Sequence, residues 1–282
     1  IHIDMKLTFL GTGTSSGNPS LGCDCRVCSS DDSHDHRLRT SALLETERGT
    51  RLLIDCGPDF RYQMLRWISS LPVDSSFRNF LSRAKQGNSI PQLIDGVLVT
   101  HFHYDHVGGL DDLRPFCIAR PMPIYADAKT CDYIREKYPY CFHESKNTFV
   151  PRFQTITVRP LKSFKIKELS ILPLQVMHGK MPILGFRIAQ MAYLTDLKTL
   201  PEENLSFLKD LDTLVIDALQ RDGNHPTHEN IQEALALVRR LTPRRTYLIH
   251  MSHNAGCHSE SQAFLPPSVS FAYDELVVEI PE

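Results

Sequence analysis

Residues 101–109 read His101-Phe102-His103-Tyr104-Asp105-His106-Val107-Gly108-Gly109. Four potential metal donors fall within six positions, directly after the apolar run Ile94–Thr100. A run of that kind suits a buried strand, and a strand end holds imidazoles rigidly. His101 and His103 alternate, so in an extended loop they project to one side. Asp105 and His106 can then turn towards a neighbouring point. The stretch can therefore serve two metal ions a few ångströms apart. Gly108 and Gly109 permit a tight entry into a following helix. A solvated histidine cluster is the plain alternative, and features elsewhere in the chain weigh against it.

Working outward, His178, Asp196 and His250 each lie at or near the end of a strand-like segment. A carboxylate at Asp196 can bridge two cations through its two oxygens, while His178 and His250 each add an imidazole. Asp55, at the end of Leu53-Ile54-Asp55, is placed to orient a ligating histidine from behind. Such carboxylates and imidazoles match zinc, manganese or iron. A metal pair can lower the pKa of a bridging water and neutralise charge on a phosphoryl or carbonyl oxygen. Asp105 can also take a proton from that water, although ligation is its main expected role.

The His-x-His-x-Asp-His motif at 101–106, with His178, Asp196 and His250 following in order and Asp55 preceding, resembles the metallo-β-lactamase superfamily. The resemblance spans most of the chain. It implies a four-layer αβ/βα sandwich of the α/β class with a two-metal site at one edge. It assigns His101, His103 and His178 to one metal. Asp105, His106 and His250 go to the other, with Asp196 as the bridge. Histidine rather than glutamate at 103 argues against the di-iron redox branch and for hydrolysis.

Cys23, Cys25 and Cys28 form a second cluster. Three thiols are too few for a closed tetrahedral zinc site, so a fourth ligand is required. His253, just beyond His250, is the favoured one; Cys257 and His258 are alternatives. Such a structural zinc would tie the Cys-rich loop at 22–39 to the last metal-bearing strand. The Cys-x-Cys-x-x-Cys pattern after a Gly-rich first loop, the late His-x-x-His, and Arg37-Leu-Arg39-Thr-Ser41 resemble PhnP-like phosphodiesterases, a branch close to tRNase Z. That resemblance implies hydrolysis of a small cyclic phosphodiester such as 5-phosphoribosyl 1,2-cyclic phosphate.

His225-Pro-Thr-His228-Glu229 precedes a helix expected over Glu229–Leu241. A leaving alkoxide needs a proton, and an imidazole at a helix start can donate it. His228 is the preferred donor and His225 the expected substrate-phosphate contact, although His225-Pro-Thr also matches a related His-Ser-Thr motif. Helix capping is the plain reading of either. Arg39, Arg61 and Arg221 are candidate phosphate contacts.

The chain has 282 residues, of which 41% are apolar and 23% charged, in the range of an ordinary globular protein. With 31 Lys+Arg against 33 Asp+Glu, the net charge of −2 disfavours a broadly basic nucleic-acid surface. We find no Gly/Pro-rich basic arm of the kind a tRNA 3′-processing nuclease carries. The Gly11–Ser20 stretch lacks the Gly-Lys-Ser/Thr ending of a P-loop. No apolar run is long enough to span a bilayer, and Ile1–Leu10 does not read as a secretory signal. Clustered cysteines without such a signal favour a reducing, cytoplasmic setting.

Strands alternate with helices, so the expectation is one domain over 1–282. The expected partner is a small phosphodiester or nucleotide-like substrate, with no stable nucleic-acid complex and a homodimer compatible with the fold. The rival functions are a tRNase Z-like nuclease, a carboxyl-ester or thioester hydrolase, and a catalytically silent binding protein.

Overall fold

A computed structural model describes residues 5–72, 75, 78, 93–118, 120–143 and 150–281. Among the described residues, fourteen strands form two seven-stranded sheets. The first contains β1 (Met5–Gly11), β2 (Ser41–Thr46), β3 (Arg51–Ile54), β4 (Gly96–Leu98), β5 (Met122–Ala126), β6 (Phe153–Thr157) and β14 (Val277–Ile280). Its order is β14-β1-β2-β3-β4-β5-β6, parallel from β3 to β6. The second contains β7 (Phe164–Ile166), β8 (Leu169–His178), β9 (Met181–Ile188), β10 (Met191–Leu194), β11 (Thr213–Asp217), β12 (Arg245–Ile249) and β13 (Val269–Phe271). Its order is β13-β12-β11-β10-β9-β8-β7, parallel from β10 to β13.

Alternation along the strands produces the layers. On β3, Leu52 and Ile54 join Phe186 and Tyr193 in an apolar layer between the sheets. Leu53 faces outward and packs with Phe60, Met64 and Trp67. These lie on α1 (Phe60–Ser70), whose apolar spacing is helical. On β11, Val215 enters the inter-sheet layer, while Leu214 and Ile216 meet Leu235 and Val238. The latter lie on α4 (Ile231–Leu241). Three apolar clusters thus separate four layers, and the expected αβ/βα sandwich is the observed one. The helices between are α2 (Tyr104–Val107) and α3 (Ala128–Lys137).

The differences from the sequence reading are local. Strands β7 and β13 have three residues each and were too short to show a pattern. Pro201–Lys209 suits a helix by its residues, but only Glu202–Phe207 winds, as a 3₁₀ segment. The stretch between Tyr138 and Val158 agrees with its reading as loop with a strand near its end, which is β6, and 144–149 lie outside the described residues. His228 does not start a helix. Asn230 caps α4 through the Glu233 backbone N–H, and the Glu233 side chain returns a bond to the Asn230 N–H. That reciprocal box starts the helix after residue 229, leaving His228 in the preceding loop.

Gly109 does not serve a left-handed turn, as its φ is −97°. A Cβ there would meet the Gly57 carbonyl oxygen at 2.0 Å, and a Cβ on Gly57 would meet the Asp105 carbonyl oxygen at 2.0 Å. These glycines let the chain after β3 press directly against the 105–109 turn.

Candidate dinuclear metal centre

Six strand ends converge on one edge. Asp55 follows β3, and Thr100 and His101 follow β4. His178 ends β8, Asp196 follows β10, Asp217 ends β11, and His250 follows β12. The edge is closed by the Leu184 N–H donating to the Thr100 carbonyl across the two sheets, at 2.9 Å. Asp55, Asp196 and His250 all have positive φ, 59°, 52° and 56°. A left-handed residue after an extended strand turns its side chain off the strand path, at a cost of about 1–2 kcal/mol for a non-glycine residue. Three such residues at one edge mark a place where position is favoured over backbone ease.

Asp196 is central and almost fully buried. Its Oδ1 lies 3.8 Å from His101 Nε2 and 4.0 Å from both His178 Nδ1 and His228 Nε2. Its Oδ2 lies 3.2 Å from His106 Nε2 and 3.4 Å from His250 Nε2. The two carboxylate oxygens therefore face two different groups of imidazoles. Asp105 Oδ2 joins the second group, 3.3 Å from His106 Nε2 and 3.4 Å from His250 Nε2. In the first, His101 Nε2 and His103 Nδ1 approach to 2.9 Å.

The outer hydrogen bonds leave the donor atoms free to ligate. The Thr100 hydroxyl donates to Asp55, at 2.9 Å from Oδ2, so it accepts from His101 Nδ1 at 3.0 Å. His106 Nδ1 donates to Asp55 Oδ2 at 2.8 Å. His178 Nδ1 donates to the Asp196 carbonyl at 3.1 Å. His101 and His178 then present an unprotonated Nε2 to the centre, the tautomer a metal requires, while the His106 Nε2 faces the Asp105 and Asp196 carboxylates. His106 Nε2 is buried with no hydrogen-bond partner. His101 Nε2, left unprotonated, accepts from the His103 Nδ1–H, and a cation held by both rings would take the place of that proton. These donors fit a pair of divalent cations with nitrogen and oxygen ligation.

The electrostatics agree. Burial alone would lower His106, but Asp196, Asp105 and Asp55 hold it well above its usual value. Burial would likewise raise Asp105 and Asp196, yet His106 and His250 hold both carboxyls below the ordinary range. Burial lowers His101, His103 and His178, which stay neutral and ready to ligate.

His228 and Asp217 adjoin the cluster. His228 Nδ1 is 2.9 Å from Asp217 Oδ2, and His228 Nε2 faces Asp196. Burial lowers His228 to about 4 and raises Asp217 well above a normal carboxyl. Both shifts come from burial and favour the uncharged forms, and the His228 ring and the Asp217 carboxyl share one hydrogen bond at Nδ1. Asp217 and Thr100 were missed in the sequence; Asp217 stood out only as one more strand-end acid. His225 is half-buried, its ring centroid 5.1 Å from that of His228.

The second cluster also assembles. His253 Nδ1 lies 3.2 Å from Cys23 Sγ, 3.6 Å from Cys25 Sγ and 3.2 Å from Cys28 Sγ. Cys257 and His258 stay outside this group of four. Of the candidate arginines, Arg39 is held by Asp59 at 2.8 Å, Arg221 lies 4.3 Å over the Phe264 ring, and Arg61 is exposed.

A β-lactamase superfamily domain matches residues 50–251, which contain the whole histidine and aspartate cluster. The chain belongs to the metallo-β-lactamase superfamily. Within it, the chain is PhnP-like. A solved diphosphatase of the PhnP family superposes with a TM-score of 0.84 at 34% identity, over 100% of this chain and 99% of its own. An octanoyltransferase of Porphyromonas gingivalis (strain ATCC BAA-308 / W83) is 40% identical over 99% of this chain and 52% of its own length. A ribonuclease Z of Gloeothece citriformis (strain PCC 7424) is 28% identical over 66% of this chain and 47% of its own. The chain spans about half the length of these curated relatives. The metallo-β-lactamase fold is that of metal-dependent hydrolases. No helix among the described residues is long and apolar enough to cross a membrane.

Proposed function

We propose that this chain is a metal-dependent phosphodiesterase for a small substrate. A cyclic diester such as 5-phosphoribosyl 1,2-cyclic phosphate is its first expected type. The observation that carries the reading is the Asp217–His228 pair beside Asp196. Hydrolysis of a diester with an alkyl leaving group needs a proton at the departing oxygen, and a neutral His228 with Nε2–H supplies one. Likeness to a PhnP-family diphosphatase supports the reading. A substituted diphosphate also presents phosphorus carrying two bridging oxygens, so the same machinery suits both.

His101, His103, His178 and Asp196 would hold one cation, and Asp105, His106, His250 and Asp196 the other. Two such cations lower the pKa of water and offset charge on phosphoryl oxygens. The protein's own groups act at the departing side. As the phosphorus–oxygen bond breaks, His228 Nε2 gives its proton to the leaving alkoxide, while Nδ1 takes the Asp217 proton. The pair ends one proton poorer and with a charge of −1, carried by the Asp217 carboxylate. Asp55 and Thr100 hold the rings of His101 and His106 in place. Cys23, Cys25, Cys28 and His253 would bind a structural zinc.

The test is a substrate screen on protein reconstituted with zinc or manganese. It comprises bis(p-nitrophenyl) phosphate, 5-phosphoribosyl 1,2-cyclic phosphate, a 2′,3′-cyclic nucleotide, a dinucleoside diphosphate, a precursor tRNA, a lactone and an octanoyl thioester. Turnover of small diesters above the others supports the proposal. Preferred cleavage of the tRNA, the lactone or the thioester would replace it.

A further inference from the structure

Phe102 stands between two of the clustered histidines. Its ring centroid lies 5.6 Å from that of His103 and 5.2 Å from that of Tyr133. The Lys129 ammonium sits 4.8 Å from the same ring centroid. His103 is half-buried, whereas His101, His106, His178 and His250 are buried, so the centre is most open on the side where Phe102 stands.

Lys129 lies in the first turn of α3 and makes no ion pair with a carboxylate among the described residues. The nearby Asp127 is committed as the helix cap, its Oδ1 accepting from the Thr130 N–H at 2.7 Å. Lys129 also lines a cleft of about 300 Å³ between the start of α3 and the β8–β9 hairpin. Asp127, Pro160, Gln175 and the stretch Met181–Leu184 form its other walls. Leu184 is the residue that bonds to Thr100, so the cleft abuts the strand edge bearing the metal donors. A largely apolar cleft of this size, with the Lys129 ammonium beside an Asp127 carboxylate engaged by the Thr130 N–H, suits the organic part of a small ligand and one acidic substituent.

We propose that Lys129 and Phe102 form a second recognition subsite, which takes an anionic group, a phosphate or carboxylate, carried by the substrate away from the scissile phosphorus. The inference rests on the phosphodiesterase reading. The two cations can neutralise only the phosphate being cleaved. A second anion on the substrate meets a chain of net charge −2 and needs its own counter-charge. Lys129 supplies it, and the Phe102 face supports the sugar or base joining the two groups. Arg39 is already paired with Asp59.

Two p-nitrophenyl diesters separate the possibilities: thymidine 5′-(p-nitrophenyl phosphate) and the same compound with a 3′-phosphate. For the metal-loaded wild type, kcat/KM is expected to be about tenfold higher for the 3′-phosphorylated compound, the value of one charge-assisted contact. In Lys129→Gln that ratio should fall to about one, and in Lys129→Arg it should largely persist. A wild-type ratio near one, or a ratio unchanged in Lys129→Gln, overturns the subsite. Cleavage of neither compound counts against the phosphodiesterase reading itself. Calorimetric binding then decides the subsite separately. Thymidine 3′,5′-bisphosphate should bind about tenfold tighter than thymidine 5′-phosphate to wild type, and equally to Lys129→Gln. Equal binding by wild type would sink the subsite even without turnover.

Discussion

Asp217 Oδ2 lies 2.9 Å from His228 Nδ1, and its other oxygen lies 3.7 Å from His250 Nδ1. One buried carboxyl thus backs both the proposed proton donor and a proposed metal ligand. Burial favours the protonated form of this acid, and in the proposed relay Asp217 refills His228 from behind as Nε2 gives its proton away.

Asp217→Asn removes that refill while keeping shape. Its kcat should fall by about 10²–10³ on an alkyl diester, in line with the usual worth of general acid catalysis. The loss on bis(p-nitrophenyl) phosphate should be far smaller, because p-nitrophenolate hardly needs a proton. Steady-state kinetics on both substrates checks this, and equal losses would contradict the relay.

Asp196→Ala removes the carboxylate shared by the two imidazole groups. His106 Nε2 and His250 Nε2 then lose the carboxylate oxygen that lies 3.2 and 3.4 Å from them. Elemental analysis should show loss of bound metal, and diester turnover should disappear. Retention of two active-site ions per chain would show that Asp196 does not bridge.

Cys28→Ser should remove one zinc per chain and leave the diester-cleaving metals in place. Burial pushes the Cys28 thiol up to about 11, so without a metal it remains protonated near neutral pH. Zinc binding would reverse that by favouring the thiolate. Melting temperature should fall by several degrees, since the loop at 22–39 would lose its tie to residue 253. An unchanged zinc count would refute the site.

Gly57→Ala would force the backbone around Asp105 to move, because the new Cβ falls 2.0 Å from its carbonyl oxygen. The variant should lose about 1–3 kcal/mol of stability by overpacking. Its metal affinity should fall as well, read by competition with a chelator. Wild-type affinity would mean that the 105–109 turn adapts freely.

Glu229 reports on pH. Burial, with Asp217 and Glu233 adding, pushes its carboxyl up to about 9. In the unfolded chain it titrates near its reference value of about 4.3. The folded state therefore favours the protonated form. Its contribution is fully present below the unfolded value and is lost as pH rises through about 9. Glu229→Gln stays neutral throughout. The melting temperature of the variant relative to wild type should rise steadily from pH 5 to pH 9. A constant difference would show that Glu229 is ionised in the fold.

The donors at 101–106, the thiols at 23, 25 and 28, and most strands were legible because they rest on local order. Alternation reaches only two residues along the chain, and ligand spacing only a few. The tertiary structure decided what depended on distant partners. His253 was already the favoured fourth ligand beside His250, but only the fold brings it to thiols up to 230 positions away and leaves Cys257 and His258 outside. Asp217 resembles any strand-end acid until β11 and β12 align and the loop before α4 folds over them. The left-handed turns at Asp55, Asp196 and His250 have no glycine to announce them, because packing of the two sheets bears their cost. Local sequence could determine which residues were able to bind metal; burial against a second sheet decided which ones meet.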